Sequence, residues 1–538
     1  MSALRRLAPI APPTMAALAA LGMLWAVRQR PLLIAPAVSI DALGAFFALA
    51  TFGGLALATA AYPPGAHRTP WGAYAAALAL AAGYLTSLTP AIVAAFLPLA
   101  LLDARRPGLC PKEKGGAGRA GPPRTPLAAG APWLHRALGP LALLSLAVGY
   151  GTLATRGALR YNDRTAGAAL DGFAFWFVLL AAVIPLLPLA PGTGDRGPRA
   201  ETGDDTPVLR PLSFVQVLRF AWLYPLARLY SLGPWNEGWS LATLLLGGGV
   251  ALWGAMAALT HAGPHGAHTT LLSQLGLALA GFGLSTGAGI AAGCYGALTY
   301  LVLAAAHLPG DRGARSEERG PRTEDRGAAI DGAAGAQARS SIINRQSSIV
   351  SWLLTPAVPF SAPFVAAWML VGAGVAGGVG LLGAAAWLVA LLGATAPLLG
   401  GRHSGPPRAL MVAAGVSAAL GVLAPVVVLA LIQPAIEQLQ GGLSVHGDIN
   451  IWPWVGLAAV DSTRRGVTAL PSIAVAALML VLSALVYLAG RLLGEPGPPG
   501  DDRPFDTALL RDLLPTLREE VPWLGARPRG EERGGDDR

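Results

Sequence analysis

Apolar runs of about 18 residues or more recur from one end of the chain to the other, and they fix the fold class before any motif is read. A helix rising about 1.5 Å per residue needs roughly 20 residues to cross a hydrocarbon core of about 30 Å. Runs of that order lie at 9–27, 38–61, 71–102, 133–155, 168–190, 239–260, 270–307, 351–399, 409–433 and 470–492. Those at 71–102, 270–307 and 351–399 have room for two crossings each. The expectation is an all-α, polytopic integral membrane protein with about 12–14 transmembrane helices. Composition agrees, since 53% hydrophobic against 13% charged residues is a membrane protein's balance. The first run has no small-residue cleavage site leading into a polar sequence, so it reads as a span and not a removable signal.

Three segments interrupt the apolar pattern: a basic loop at 104–131, a polar loop at 191–211 and a low-complexity stretch at 308–347. Rich in Gly, Pro, Arg and acids, they bury too little apolar surface to offset the entropy of ordering, and the third is expected to be disordered. They divide the chain into N-terminal transmembrane helices (1–103), a transmembrane core (132–307), C-terminal transmembrane helices (348–492) and a polar tail (493–538). Within the tail, Leu509, Leu510, Leu513, Leu514 and Leu517 recur at helical intervals, which predicts a short amphipathic helix.

The net charge of +9 is spread over short connections and tails, a distribution set by membrane topology and not by nucleic acid. The basic loop at 104–131 and the pair Arg28 and Arg30 leave the orientation in the membrane open. Cys110 and Cys294 are far apart in sequence, so neither a disulfide framework nor a thiolate metal site follows.

Polar residues are scarce in the spans. Asp41 and Asp171 stand near helix starts, where a carboxylate caps free amides and complements the helix dipole. His261, His265 and His268 cluster between two apolar runs, and three readings of them stand: a solvated or interfacial loop, a proton relay through imidazole, or a metal site on one helical face. Gly263, Pro264 and Gly266 argue against a regular helix there and favour the loop.

Several segments, taken in order, resemble the antiporter-like membrane subunits of NADH:quinone oxidoreductase (respiratory complex I) and of multisubunit cation:proton antiporters. VSIDALGAFFAL (38–49) looks like the entry to an early span, and VIPLLPLA (183–190) is similar to a Pro-x-x-Pro segment closing a span. TPVLRPLSFVQVLRFAWLYPLARLY (206–230) resembles the Thr-Pro-Val opening and the Tyr-Leu-Leu-x-Arg ending of the broken helix. ALTHAGPHGAHTTLLSQLGLALAGFG (258–283) resembles the stretch that runs from an Ala-Leu-x-Gln-x-Asp-x-Lys pattern to Ser-Gln-Leu-Gly, and VPFSAPFVAAWML (358–370) a Pro-Pro-Phe-Ser-Gly-Phe stretch.

The resemblance implies about 14 helices, inverted five-helix repeats and broken helices lining a hydrated path, with a Glu and several Lys relaying protons. This chain departs from that pattern. Its two lysines, Lys112 and Lys114, both lie in the basic loop, and the run that matches the Glu-bearing helix has no acid before Asp103. Counting from Thr206 puts Arg219 at a relay lysine, with a one-residue slip if counted back from the Tyr-Leu-Leu-x-Arg ending; counting from Ala258 puts His265 at another, whereas counting back from Ser273 to Gly276 puts Pro264 there. The stretch YGALTYLVLAAAH (295–307) matches a helix that bears two His and a Lys, and here it offers Tyr300 and His307.

The pathway candidates are thus Arg219, His261, His265, His268, Tyr300 and His307. The expected function is that of a membrane-arm subunit of a complex I-like assembly in a bacterial plasma membrane, with most relay residues lost. Such a subunit partners lipid and neighbouring membrane-arm subunits, not nucleic acid, and is at most a non-catalytic part of an oxidoreductase. No iron–sulfur cysteine cluster, dinucleotide fingerprint or paired haem ligand is present, so no cofactor is expected. The competing readings are a stand-alone multi-span transporter and a membrane-embedded glycosyl- or acyltransferase.

Overall fold

The computed structural model describes residues 9–62, 71–104, 132–160, 170–187, 212–233, 235–260, 264–307, 353–356, 358, 360–376, 389–390 and 407–440, with a few short pieces beyond. The segments 105–131, 191–211 and 308–347, and the tail from 493 with its amphipathic stretch, lie outside the described residues.

The chain opens with α1 (Ala11–Val27), a hairpin of β1 (Leu32–Ala35) and β2 (Val38–Ile40), and α2 (Ala42–Ala61). Then come α3 (Trp71–Tyr84), α4 (Thr89–Ala104), α5 (Pro132–Thr155) and α6 (Gly172–Val183). A central stretch follows in four short pieces: α7 (Leu212–Leu218), a 3-10 turn (Arg219–Trp222), α8 (Leu223–Arg228) and a second 3-10 turn (Leu229–Leu232). Beyond it run α9 (Glu237–Thr260), α10 (Pro264–Gly283), α11 (Gly287–Ala306), α12 (Ala362–Ala376) and α13 (Pro407–Val422). Finally α14 (Ala424–Val427), a π-helical turn (Val428–Ile432) and α15 (Gln433–Gln440) continue one another.

The protein is an all-α polytopic membrane protein apart from two minor hairpins, the first in the register Leu32↔Ile40, Leu33↔Ser39 and Ala35↔Val38. Among the described residues, four helical stretches are long and apolar enough to cross a membrane: Ala42–Ala61, Arg136–Thr155, Glu237–Ala258 and Gly287–Ala306. A fifth forms if Arg408–Val422 and Ala424–Leu439, bent by 78°, count as one span.

These four divide by position. The apolar window of α11 is 94% buried and that of α2 is 78% buried, whereas those of α5 and α9 are 39% and 44% buried. So α2 and α11 form the centre: α2 packs on α1, α3, α11, α13 and α15, and α11 on α10, α12 and α13. The outer α9 turns Leu241, Leu245, Trp253 and Met256 away from the protein. An outward apolar stripe on a helix with almost no charge is what hydrocarbon, and not water, solvates.

The run 71–102 divides in two, as its length allows, but into helices of 14 and 16 residues, shorter than the roughly 20 needed to cross unaided. One structural reading changes. From Pro264 onward the chain is helical, not a loop: α10 begins at Pro264 itself. Proline is tolerated there because a first-turn amide has no intrahelical acceptor to lose.

Candidate functional site

The central stretch 212–232 is almost wholly buried from Val215 onward, with Phe220, Trp222, Tyr224 and Tyr230 inside the bundle. Its backbone cannot run as one helix. Pro225 supplies no N–H to the preceding turn, and the amides of Leu223 and Leu229 reach back to the Phe220 and Leu226 carbonyls in the tighter 3-10 pattern. Breaks of this kind leave carbonyls to be satisfied from outside. Tyrosine hydroxyls supply those donors. Tyr150 Oη donates to the Pro225 carbonyl at 2.9 Å, and Tyr300 Oη donates to the Gln216 carbonyl just before the first break. Tyr224 and Tyr230 donate outward to the carbonyls of Tyr84 and Phe282.

Arg219 lies at the first break and is 8% exposed. Its Nη2 is 3.9 Å from Asp103 Oδ1 at the end of α4, and its Nη1 is 3.4 Å from His268 Nε2 on the second turn of α10. The first distance is an ion pair too long for a direct hydrogen bond; the second is a long hydrogen bond. A guanidinium only donates, so in this contact His268 Nε2 is the acceptor. Arg219 Nε and the neighbouring Trp222 Nε1 are buried with no hydrogen-bond partner among the described residues.

A second ion pair closes the other end of this stretch. Arg228 Nη1 contacts Asp41 Oδ2, with side-chain exposures of 3% and 10%. Asp41 also caps α2 by accepting from the Gly44 amide at 2.7 Å, and Asp171 caps α6 through the Ala174 amide at 2.9 Å. Both are caps, as the sequence predicts, and each holds an arginine as well: Asp171 pairs with Arg156 at 2.6 Å. Beside Asp41, Gln438 of α15 bridges two helix ends. Its Oε1 accepts from the Ala42 amide at 2.7 Å and its Nε2 donates to the Val27 carbonyl at 2.5 Å.

The six residues singled out in the sequence therefore separate. Arg219 and His268 touch, and Tyr300 reaches the same stretch as a hydroxyl donor to a backbone carbonyl. His307 ends α11 with Nδ1 2.8 Å from the Leu303 carbonyl, a helix-end contact. His265 lies on α10 one turn before His268, its side chain outside the described residues, and His261 lies outside them altogether. Among the described residues no three His, Cys, Asp or Glu side chains gather closely enough to hold a metal. Sequence reasoning missed Asp103 and Gln438 as partners. The only signal for Asp103 was an acid in the last turn of an apolar helix.

Arginine stays protonated at any accessible pH, so Arg219 holds a charge and does not pass one on. The two groups facing its terminal nitrogens are the Asp103 carboxylate and the His268 imidazole.

No known family profile matches the sequence, and no curated protein does. Solved structures do. A chain of the Mrp complex from Dietzia sp. DQ12-45-1b aligns over 99% of this chain at TM-score 0.58 and 15% identity, and this chain spans 60% of that chain's length. A chain of the membrane-bound sulfane sulfur reductase, an archaeal respiratory membrane complex, aligns over 98% of this chain and 96% of its own at TM-score 0.55 and 12% identity. A chain of respiratory complex I from Thermus thermophilus aligns over 82% of this chain and 100% of its own at TM-score 0.51 and 15% identity. At these identities the likeness is one of fold, and the fold is that of chains in Mrp and complex I-type membrane assemblies.

Proposed function

We propose that this chain is a membrane-arm subunit of a complex I-like or Mrp-like assembly in a bacterial plasma membrane, a cation- or proton-translocating scaffold whose relay is mostly gone and whose remaining task is to join neighbouring subunits in the bilayer. The observation that supports it best is one of substitution within a kept fold. The alignment runs through nearly the whole chain, yet the broken stretch at its centre carries arginines at 219 and 228 and no lysine. Arginine keeps an electrostatic framework in place without releasing protons. Inverted five-helix repeats, a count of 12–14 spans and the antiporter-style broken helices belong to this same reading.

The outward apolar stripe of α9 fits a lipid or subunit contact equally, and the absent lysines remove the ordinary reason for the subunit to conduct. The test is purification from native membranes in mild detergent. A chain that migrates with other membrane-arm subunits supports the assembly; one that runs alone at every detergent concentration argues for the stand-alone transporter or the membrane enzyme.

A further inference from the structure

We infer that Arg219 is a fixed-charge seal: it keeps sodium ions and protons from crossing this chain, so the scaffold insulates the membrane instead of conducting. This role rests on the scaffold reading and deepens it by assigning the central site a task.

Consider what an ion would meet beside the first break. Asp103, the carboxylate contributed by α4, is already opposed by the guanidinium at 3.9 Å. The second carboxylate near the stretch, Asp41, is held by Arg228. Among the described residues the two acids beside the stretch are each matched by a permanent cation, so neither offers unopposed oxygen charge to replace the water around an entering sodium ion, which needs several oxygen ligands. A unit positive charge about 4 Å from a guanidinium, at an effective dielectric near 20, is disfavoured roughly a thousandfold before any offset from Asp103. Protons fare no better. His268 is the nearest base, but its Nε2 already accepts from Arg219, and adding a proton there sets two cations side by side. A lysine at the same place could give up its proton to the imidazole and take another; an arginine cannot. Buried arginines that bar cations from membrane pores act by the same electrostatics.

The burial of the group fits this task. Arg219 is 8% exposed, and the stretch around it is closed by Phe220, Trp222 and Leu223, each about as buried as any residue in the protein. A charge kept inside a bundle of apolar helices costs stability unless it is matched, and the match here is incomplete: Arg219 Nε has no hydrogen-bond partner among the described residues.

The test uses the purified full-length chain in liposomes with a pH-sensitive dye and a sodium-sensitive dye inside, driven by a potassium diffusion potential. Wild-type vesicles should match empty vesicles for both ions. Arg219→Gln takes away the permanent cation facing Asp103 and His268, and should raise proton or sodium flux at least about tenfold. Arg219→Lys should pass protons but not sodium. Should Arg219→Gln fail to fold, judged by gel filtration and circular dichroism, the double variant Asp103→Asn with Arg219→Gln removes both charges; a proton leak through it supports the seal, and vesicles as tight as wild type overturn it. Wild-type conduction at the variant's rate, or a folded Arg219→Gln as tight as wild type, likewise overturns the seal. A tight wild type and a leaking variant from a chain that never co-purifies with neighbours keeps the seal and removes the assembly reading.

Discussion

Arg228 and Asp41 form a buried ion pair that joins the end of α8 to the start of α2. The two residues belong to two of the sequence segments that resemble antiporter-like subunits, and the fold brings those segments into contact at this pair. Asp41 has two roles, as carboxylate to the guanidinium and as cap to the Gly44 amide. Asp41→Asn keeps a capping oxygen while removing the charge, so it isolates the electrostatic part. Removing one partner of a buried pair leaves the other's charge uncompensated, at a cost of about 3–5 kcal/mol. Asp41→Asn and Arg228→Met should each lower the thermal midpoint in detergent strongly, and the double variant by less than their sum. Additive losses would show that the pair does not act as a unit.

Gln438 should behave as a clasp. Its amide satisfies the Ala42 N–H at the start of α2 and the Val27 carbonyl at the end of α1, two groups that helix geometry leaves without intrahelical partners. Gln438→Ala is expected to destabilise by about 1–3 kcal/mol, the cost of leaving such groups unsatisfied. Hydrogen exchange at the Ala42 amide should speed up while exchange in mid-α11 stays as it was. Unchanged exchange at Ala42 would mean that another group takes the bond.

The sequence revealed as much of this architecture as depends on one segment at a time. Apolar length located α2, α5, α9 and α11, and the carboxylates at 41 and 171 announced their caps, because both signals are local. Pro264 misled, since the same residue that breaks a helix interior is neutral at its first position. The grouping of Asp103, Arg219 and His268 was legible only in part. Arg219 was singled out by its place in a segment that resembles a broken helix, but its neighbours arrive from α4 and α10, and nothing in either segment's own pattern says that their ends converge on it. Gln438 was hidden for the same reason: a glutamine in a late helix has no local feature that distinguishes a clasp from a surface amide.

Helix packing gives a prediction with an internal control. In α9, a Cβ added at Gly254 would sit 2.7 Å from both the Thr269 carbonyl oxygen and the Ser273 amide nitrogen of α10, backbone atoms with no room to move, whereas one added at Gly248 meets nothing within 4 Å. Gly254→Ala should therefore force α9 and α10 apart and cost about 1–3 kcal/mol. Gly248→Ala should be neutral or stabilise by up to about 1 kcal/mol through helix propensity. Thermal midpoints of the two variants, measured side by side in the same detergent, compare them directly. Equal midpoints would mean that the α9–α10 crossing is looser than these contacts require.

The histidines of α10 give the last test. His268 Nε2 accepts from Arg219, while His265 lies one turn earlier on the same helix, at the position that sequence counting matches to a relay lysine. With the guanidinium in place neither imidazole has reason to carry protons through the bundle, so His265→Ala and His268→Ala should each leave vesicles as tight as those of the wild type. In the Arg219→Gln background the two should part. There the guanidinium no longer holds His268 Nε2 as an acceptor, and the imidazole and the Asp103 carboxylate face the space it filled, so His268 becomes the group that hands protons on. His268→Ala should then abolish most of the proton leak and leave in place any sodium leak, which depends on the Asp103 carboxylate. His265→Ala should change neither. A proton leak removed by His265→Ala and untouched by His268→Ala would reverse the assignment and place the proton acceptor one turn toward the start of α10.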